Sequence, residues 1–509
     1  MKIIALGVGG LLTASAALAQ PAGPAETATR AAMARIEAMN PKVNAVLAID
    51  PTAIAAAQAM DRGRKARGPM FGIPVLIKDN IETLGPLPTT AGSLALKDNV
   101  TNRDAPVVAG LRAAGAVILG KTNLSEWANI RGDSSISGWS ALGGQVRNPH
   151  ALNRSPCGSS SGSGAAVAAG MVDAAVGTET DGSVTCPAAV NGIVGFKPTV
   201  GLVSRSHVVP ISHSQDTPGP MTKDVRLAAL MLNAMVGSDP ADPATVEADK
   251  RRVDYVAALD PAALKGARIG VLRFATGWSA PVDAVFEKAL GVLKAQGAVL
   301  VDITEGPKNR GEIGQAEFKV LLSELKTDLN AYLATTPPNV KVRTLADAIA
   351  FNKADPRELG LFGQETFIAA EATKGPADPD YLAARALSLR RAGVEGIDAA
   401  LKAANVVALV QPTTAPAWMI DAVHGDQSPD RNGIGNAAAI AGYPHLTVPM
   451  GAVQGLPVGL SFIGTKWDDA RMLALGAAYE KAAGVKLVPR FAESVETMPG
   501  VAALLAPPR

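Results

Sequence analysis

Short apolar runs of four to eight residues, bounded by Gly, Pro or polar residues and alternating with helical stretches, constrain this chain more than any other feature. Gly72 to Asp79 (GIPVLIKD) has the length and β-branched content of a buried strand ending in polar residues. Asp104 to Ala114 has helical spacing, Gly115 stops it, and Ala116 to Leu119 forms the next buried run. Arg268 to Phe274, Val282 to Gln296 and Val299 to Ile303 repeat the order strand, helix, strand. Val406 to Val410 is a further buried run, and Leu446 to Met450 with Val458 to Ile463 forms a strand pair across a Gly-Pro loop. Strands too apolar to face water must be covered on both sides, so the class is α/β, with helices over a large sheet.

At the front of the chain, Ala25 to Met39 places Met33, Ile36 and Met39 at the i, i+3 spacing of an amphipathic helix, and Pro41 follows its expected end. From about residue 307 to residue 400 the chain becomes more charged and helical, including Gln315 to Leu333 and Tyr381 to Ala392, and carries few chemical motifs. This segment is expected to cover part of the core. No repeat or long linker divides the 509 residues, so residues 20–509 are expected to form one domain.

Met1 and Lys2 precede an apolar run from Ile3 to Ala19 that ends Ala17-Leu18-Ala19 before Gln20. One positive charge, an apolar centre and small residues at the Ala-x-Ala positions predict a secretory signal peptide over residues 1–19. The run is short for a membrane span. The mature protein is therefore expected in the periplasm or secreted, free of the membrane after cleavage. Lys and Arg number 48 and Asp and Glu 46, a net charge of +2, which provides no basic footprint for nucleic acid. Cys157 and Cys186 are the two cysteines, and an oxidising compartment permits a bond between them. Neither they nor the five histidines show metal-ligand spacing, so no metal and no cofactor is expected.

The chemistry concentrates in two loops. In Ser155 to Gly170 (SPCGSSSGSGAAVAAG), five Ser and two Gly fall within nine residues before an Ala/Val helix begins. Such a loop can bind an anion on backbone N–H groups, present a hydroxyl, or simply cap a helix. Gly158 to Gly162 also spells GxSxG with Ser160 at its centre, but the nucleophile elbow needs a preceding strand, and a polar loop with two prolines stands there instead. Gly115 to Thr122 (GAVILGKT) spells a Walker A motif, yet its middle residues are the strand itself and cannot curl round a phosphate. The second loop, Gly177 to Pro187 (GTETDGSVTCP), places Ser183 after Gly182, where a substrate can approach closely. Successive N–H groups of Thr180, Asp181, Gly182 and Ser183 can converge on one oxyanion.

These segments together resemble the amidase signature family over nearly the whole mature chain. FGIPVLIKD (71–79) is similar to the family's lysine motif and KTNLSEWA (121–128) to its following helix. The Ser-rich stretch, GTETDGSVTCPAAVNGIVGFKPT, a turn at DTPGPM (216–221), AIAGYPHLTVPMG and GLPVGLSFIG follow in the family's order. The resemblance implies a large mixed β-sheet core covered by helices, with Lys78 as catalytic lysine, Ser159 as bridging serine on a cis peptide and Ser183 as nucleophile. Cys157 and Asp181 stand where many members have Gly, and Thr185 where many have Arg. The wording TETDGSVTCPA looks like the peptide amidase branch, which removes C-terminal amides, rather than the transamidase subunit acting on aminoacylated tRNA.

The implied chemistry has physical demands. A serine hydroxyl attacks an amide only if a base takes its proton, and Lys78 serves only while neutral. Its apolar strand neighbours Val75, Leu76 and Ile77 provide the burial that lowers a lysine pKa. An ion pair with Asp79 is disfavoured because adjacent strand residues face opposite ways. Asp216 is expected to brace a turn. The expected activity is hydrolysis of carboxamides, most of all peptide C-terminal amides, with release of ammonia. Small aryl, aliphatic or fatty amides are the alternative substrates, a non-catalytic binding protein on the same fold is a second class, and a His-dependent hydrolase using Ser160 is a third.

Overall fold

The computed structural model describes residues 22–63, 67–308, 310–428 and 433–505. The predicted signal sequence at residues 1–19 lies outside them. Thirteen strands are present among the described residues: β1 (Val46–Ile49), β2 (Pro74–Lys78), β3 (Val117–Thr122), β4 (Trp139–Ser140), β5 (Gly144–Gln145), β6 (Ala174–Glu179) and β7 (Val194–Lys197). The remainder are β8 (Thr217–Thr222), β9 (Arg268–Leu272), β10 (Val299–Ile303), β11 (Ala408–Pro412), β12 (His445–Val453) and β13 (Leu456–Ile463). Eleven of them form one sheet in the order β1-β3-β2-β6-β8-β7-β12-β13-β11-β9-β10, and β4 pairs with β5 apart from it. The sheet is mixed: β2 runs parallel to β3 and β6, whereas β8 is antiparallel to β6 and β7.

Alternate residues of the buried strands enter different cores, as the period of two requires. Val75 and Ile77 enter the large core that also holds Leu232, Phe286 and Met472 from helices Val225–Met235, Ala280–Ala295 and Asp469–Ala483. Leu76 packs on the other face with Ile36, Ala165 and Val167 from helices Pro24–Val43 and Ser161–Ala168. The same alternation directs Lys78 toward the Ser-rich helix. That helix approaches its neighbours so closely that a Cβ on Gly162 would lie 2.2 Å from the Ala45 carbonyl oxygen, a space only glycine leaves open. The charged segment of the sequence forms helices Arg310–Ala334, Leu345–Ala354, Glu365–Glu371 and Pro379–Ala392. Leu325 and Leu329 of the first pack over Ala91, Leu96 and Trp127.

Four local expectations change. KTNLSEWA (121–128), expected as a helix, instead ends β3 at Thr122 and makes only a short 3-10 turn at Glu126–Asn129, with Trp127 and Ala128 at φ of 47° and 54°. The DTPGPM segment, expected as a turn, becomes strand β8 in the middle of the sheet. Pro218 and Pro220 lack the N–H a ladder needs, and β7 correspondingly pairs with β8 only through Val194↔Thr222 and Gly195↔Met221. Pro41 lies inside the last turn of helix Pro24–Val43, and Asn44 in the left-handed region (φ 53°) ends it. The β12–β13 turn is Gln454-Gly455, with φ of 48° and 81°, and Pro457 belongs to β13. Among the described residues, no helix is long and apolar enough to cross a membrane.

Candidate active site

Lys78 is the last residue of β2, beside β6 in parallel register, so the polar ends of two buried strands deliver Lys78 and Thr178 to one point. The lysine is fully buried. Its Nζ lies 2.7 Å from Ser159 Oγ, 2.8 Å from Thr178 Oγ1 and 3.3 Å from the Thr178 carbonyl oxygen. A protonated amine donates to all three oxygens. The neutral amine keeps two N–H bonds for Thr178 and turns its lone pair to the Ser159 hydroxyl. Burial pushes the lysine pKa down to about 7, partly opposed by the Asp216 and Glu179 carboxylates. At neutral pH the group can therefore both take and return a proton.

The Ser-rich loop separates structural hydroxyls from this one. Ser155 Oγ accepts from the Cys157 N–H, Ser161 Oγ donates to the Cys157 carbonyl and Ser163 Oγ to the Val176 carbonyl. Ser160 Oγ donates to the Thr178 carbonyl and accepts from the Thr178 N–H, 3.1 Å in each case. With both roles occupied and no exposure, Ser160 is a poor nucleophile, and no strand precedes it. Ser159 alone among the five meets a titratable group, and it follows a cis peptide bond from Gly158.

The second loop spans Thr180 to Val184, between β6 and a short helix starting at Thr185. Ser183 is slightly exposed, at 8%, whereas Lys78 and Ser159 are sealed. The Ser160 N–H donates to the Ser183 carbonyl at 3.2 Å, which ties the two loops together. Gly182 has φ of 77° and open space where a side chain would stand. Among the described residues, the N–H groups of Asp181, Gly182 and Ser183 have no protein acceptor. Buried carboxylates hold the loop from below. Glu179 accepts from the N–H groups of Val184 and Thr185 at 2.8 and 2.9 Å, and Asp216 accepts from the Thr180 hydroxyl at 2.6 Å. Asp216 also accepts from the N–H groups of Ile211 and Ser212, so it braces a turn as expected and anchors the loop as well.

A disulfide joins Cys157 to Cys186 with Cα atoms 6.0 Å apart, linking the residue before the cis peptide to the helix after Ser183. The Walker-like lysine, Lys121, is buried in β3 and bonded to the Ile81 carbonyl and the Thr89 hydroxyl, 3.7 Å from Asp79. It therefore faces no phosphate site, and Asp79 pairs with Lys121 and Thr90 rather than with Lys78. Thr178 is the site residue that motif reading overlooked; its position near the end of β6, shortly before Ser183 and inside the quoted loop sequence, was the available signal.

A pocket of about 320 Å³ adjoins the Ser183 loop and is lined by Asp181, Gly182, Thr185 and Cys186 on one side and by Gln411 and His445 on another. One cluster of metal-type ligands exists among the described residues, His213, Glu324 and Asp328, away from Lys78; both Glu324 oxygens there already accept hydrogen bonds from Ser212, Ser214 and Tyr381.

The geometry can be set beside known proteins. A family model described as Amidase matches residues 27–473. The peptide amidase of Stenotrophomonas maltophilia superposes with a TM-score of 0.85 at 50% identity, covering 92% of this chain and 95% of that one. A structure of peptide amidase with the competitive inhibitor chymostatin gives 0.86 at 50% identity, covering 92% and 96%. A probable amidase of Arabidopsis thaliana is 37% identical over 470 residues, 90% of this chain and 86% of its own length. With the motifs in order along the chain, the eleven-stranded mixed sheet and these matches in agreement, the chain belongs to the amidase signature family of hydrolases that act on amide C–N bonds.

Proposed function

We propose that this enzyme hydrolyses carboxamides through a Ser-Ser-Lys triad, with Ser183 as nucleophile, Ser159 as relay and Lys78 as base. The observation that carries the reading is the buried 2.7 Å contact between Lys78 Nζ and Ser159 Oγ. Neutral Lys78 takes the Ser159 proton, Ser159 takes that of Ser183, and Ser183 Oγ bonds to the amide carbon. The developing oxyanion rests on the N–H groups of Thr180 to Ser183, of which three are free of protein acceptors. The proton returns through Ser159 to the amine, the C–N bond breaks and ammonia leaves. Water, activated by the same relay, then frees the acid and restores Ser183. No cofactor is required by these steps.

The substrates are proposed to be C-terminal amides of peptides. The peptide amidases at 50% identity support this choice over aryl or fatty amides. Export to the periplasm or medium is the companion proposal, supported by the apolar segment at residues 3–19 and by a disulfide suited to an oxidising compartment. The decisive experiment measures ammonia release from a panel of peptide amides and simple amides. Ser183→Ala is expected to abolish turnover with an unchanged circular dichroism spectrum; retained activity there, or loss only in Ser160→Ala, would move the nucleophile.

A further inference from the structure

Peptide geometry ties the N–H groups of the Ser183 loop to what lies behind it. In a trans peptide the C=O and N–H point to opposite sides, so whatever grips the carbonyl also aims the amide hydrogen of the following residue. Two of the three N–H groups without a protein acceptor belong to peptides whose carbonyls are gripped. The Gly182 carbonyl, in one plane with the Ser183 N–H, accepts from the Cys186 N–H at 2.8 Å, an ordinary bond of the helix that starts there. The Thr180 carbonyl, in one plane with the Asp181 N–H, is held by a side chain instead: Gln215 Nε2 donates to it at 3.2 Å.

Gln215 is 1% exposed, and the two hydrogens on Nε2 meet two acceptors, the Thr180 carbonyl and Glu317 Oε1 at 3.0 Å. Glu317 stands on helix Arg310–Ala334 and is itself buried. Burial raises its carboxyl pKa and the Gln215 bond opposes the rise; neutral or charged, the group keeps an oxygen that accepts. The backbone around Gln215 is fixed separately. The N–H groups of Ser214 and His213 donate to Glu324 and Asp328 of the same helix at 3.0 and 2.8 Å, and the Gln215 N–H donates to the Ser212 carbonyl at 3.2 Å. Asp216 meanwhile holds the Thr180 hydroxyl. A buried amide with both hydrogens committed cannot swing without leaving an acceptor unmet, so the Thr180–Asp181 peptide is kept in one orientation.

We propose that Gln215, braced by Glu317, is a positioning residue that aims the Asp181 N–H at the oxyanion of the tetrahedral intermediate. The assignment rests on the reading of Ser183 as nucleophile. It gives the charged helical segment, whose sequence carries few chemical motifs, a part in the reaction, because one of its helices sets the direction of a hydrogen-bond donor beside Ser183.

The test uses N-acetylphenylalanine amide for rates and N-acetylphenylalanine trifluoromethyl ketone for the oxyanion. Ser183 Oγ adds to the ketone carbon, its proton passes through Ser159 to Lys78, and the carbonyl oxygen becomes an oxyanion with no leaving group lost. Removing an oxyanion donor outright costs about 10²–10³ in kcat, and a donor left in place but poorly aimed costs less. Gln215→Met, which keeps the length and removes both hydrogens, is expected to lower kcat by about 10–100-fold with KM within about twofold, and to weaken the ketone by the same factor. Glu317→Gln keeps an acceptor for Gln215 and should stay within about threefold of wild type, whereas Glu317→Leu should lose about tenfold. The double variant Gln215→Met/Glu317→Leu should be no slower than Gln215→Met, since Glu317 acts through Gln215. Unchanged kcat in Gln215→Met, a kcat loss with unchanged ketone affinity, or additive losses in the double variant would each overturn the assignment. Should Gln215→Met not fold, the contrast between Glu317→Gln and Glu317→Leu decides, and equal rates there overturn it. A ketone that binds Ser183→Ala as tightly as wild type refutes Ser183 as the reacting residue, and this assignment falls with it.

Discussion

Lys78 makes the proposed mechanism measurable as a titration. With its ordinary pKa of 10.5, roughly one lysine in 3,000 would be neutral at pH 7; at the value of about 7 set by burial, about half are. The fold therefore raises the supply of neutral amine, the form the proposed base must take, by about three orders of magnitude. Because the deprotonated form is the active one, kcat/KM should rise tenfold per pH unit well below 7 and reach a plateau above about 8, and at pH 5 it should be near 1% of the plateau. The Asp216 carboxylate pulls this pKa upward, so Asp216→Asn should move the midpoint to lower pH. Lys78→Ala should lose several orders of magnitude. Lys78→Arg should not recover them, because a guanidinium does not release its proton near neutrality. The assay is initial-rate ammonia release from pH 5 to 9.5, with circular dichroism at each pH to confirm the fold. A flat profile, a midpoint near 10, or an Arg variant with most of the activity would refute the assignment of Lys78 as base.

Three further outcomes follow from the buried charges and the disulfide. Arg131, fully buried and 2.6 Å from Glu126 with Glu358 at 3.4 Å, is the cation of a buried cluster in which burial and Glu358 already push the Glu126 carboxyl up, so Arg131→Met strands the remaining buried carboxylate charge and should destabilise by about 3–5 kcal/mol in urea unfolding. The double variant Cys157→Ser/Cys186→Ser releases a cross-link between residues 29 apart, which should cost about 3–4 kcal/mol and lower kcat, because the bond ties the Ser159 loop to the helix after Ser183. His150 is buried and its pKa is pushed down to about 4, whereas the unfolded chain takes up that proton near 6.5. Its share of stability is thus whole above pH 6.5 and lost as pH falls toward 4, about 3 kcal/mol in all. His150→Gln should flatten melting temperature against pH in that window, and an unchanged slope would exclude His150 as the source.

The strands were legible because burial on both faces forces continuous apolar runs, and β2, β9 and β10 lie within two residues of the positions their sequence predicts. Strand β8 was not, because two prolines in six residues contradict local strand preference, and only its place between β6 and a short β7 makes them tolerable. At the site, Lys78, Ser159 and Ser183 stand in motifs dense enough to be picked out from the chain. Residues that act through distant partners left no comparable trace. The bond from Thr178 to Lys78 spans 100 residues, and the placing of Gln411 across a pocket from the Ser183 loop depends on sheet order rather than on any spacing. Cys157 and Cys186 showed that a bond was permitted, but their 6.0 Å approach is a tertiary fact.

The order of strands across the sheet has a consequence for how such enzymes diversify. Every strand of the large sheet up to residue 222 lies on one side of the β7–β12 junction and every later strand on the other. Lys78, Ser159 and Ser183 all belong to the first side, and Gln411 and His445 to the second. The proposed reacting groups and the far wall of the pocket therefore meet along a single seam, joined by the pairs His445↔Lys197, Leu446↔Phe196 and Thr447↔Gly195. A change confined to the pocket lining of the later half leaves the proposed proton path of the earlier half in place, whereas a graft of one parent's second half onto another's first would need to preserve those three rungs together with the core that helices Ala280–Ala295 and Asp469–Ala483 share with the first half.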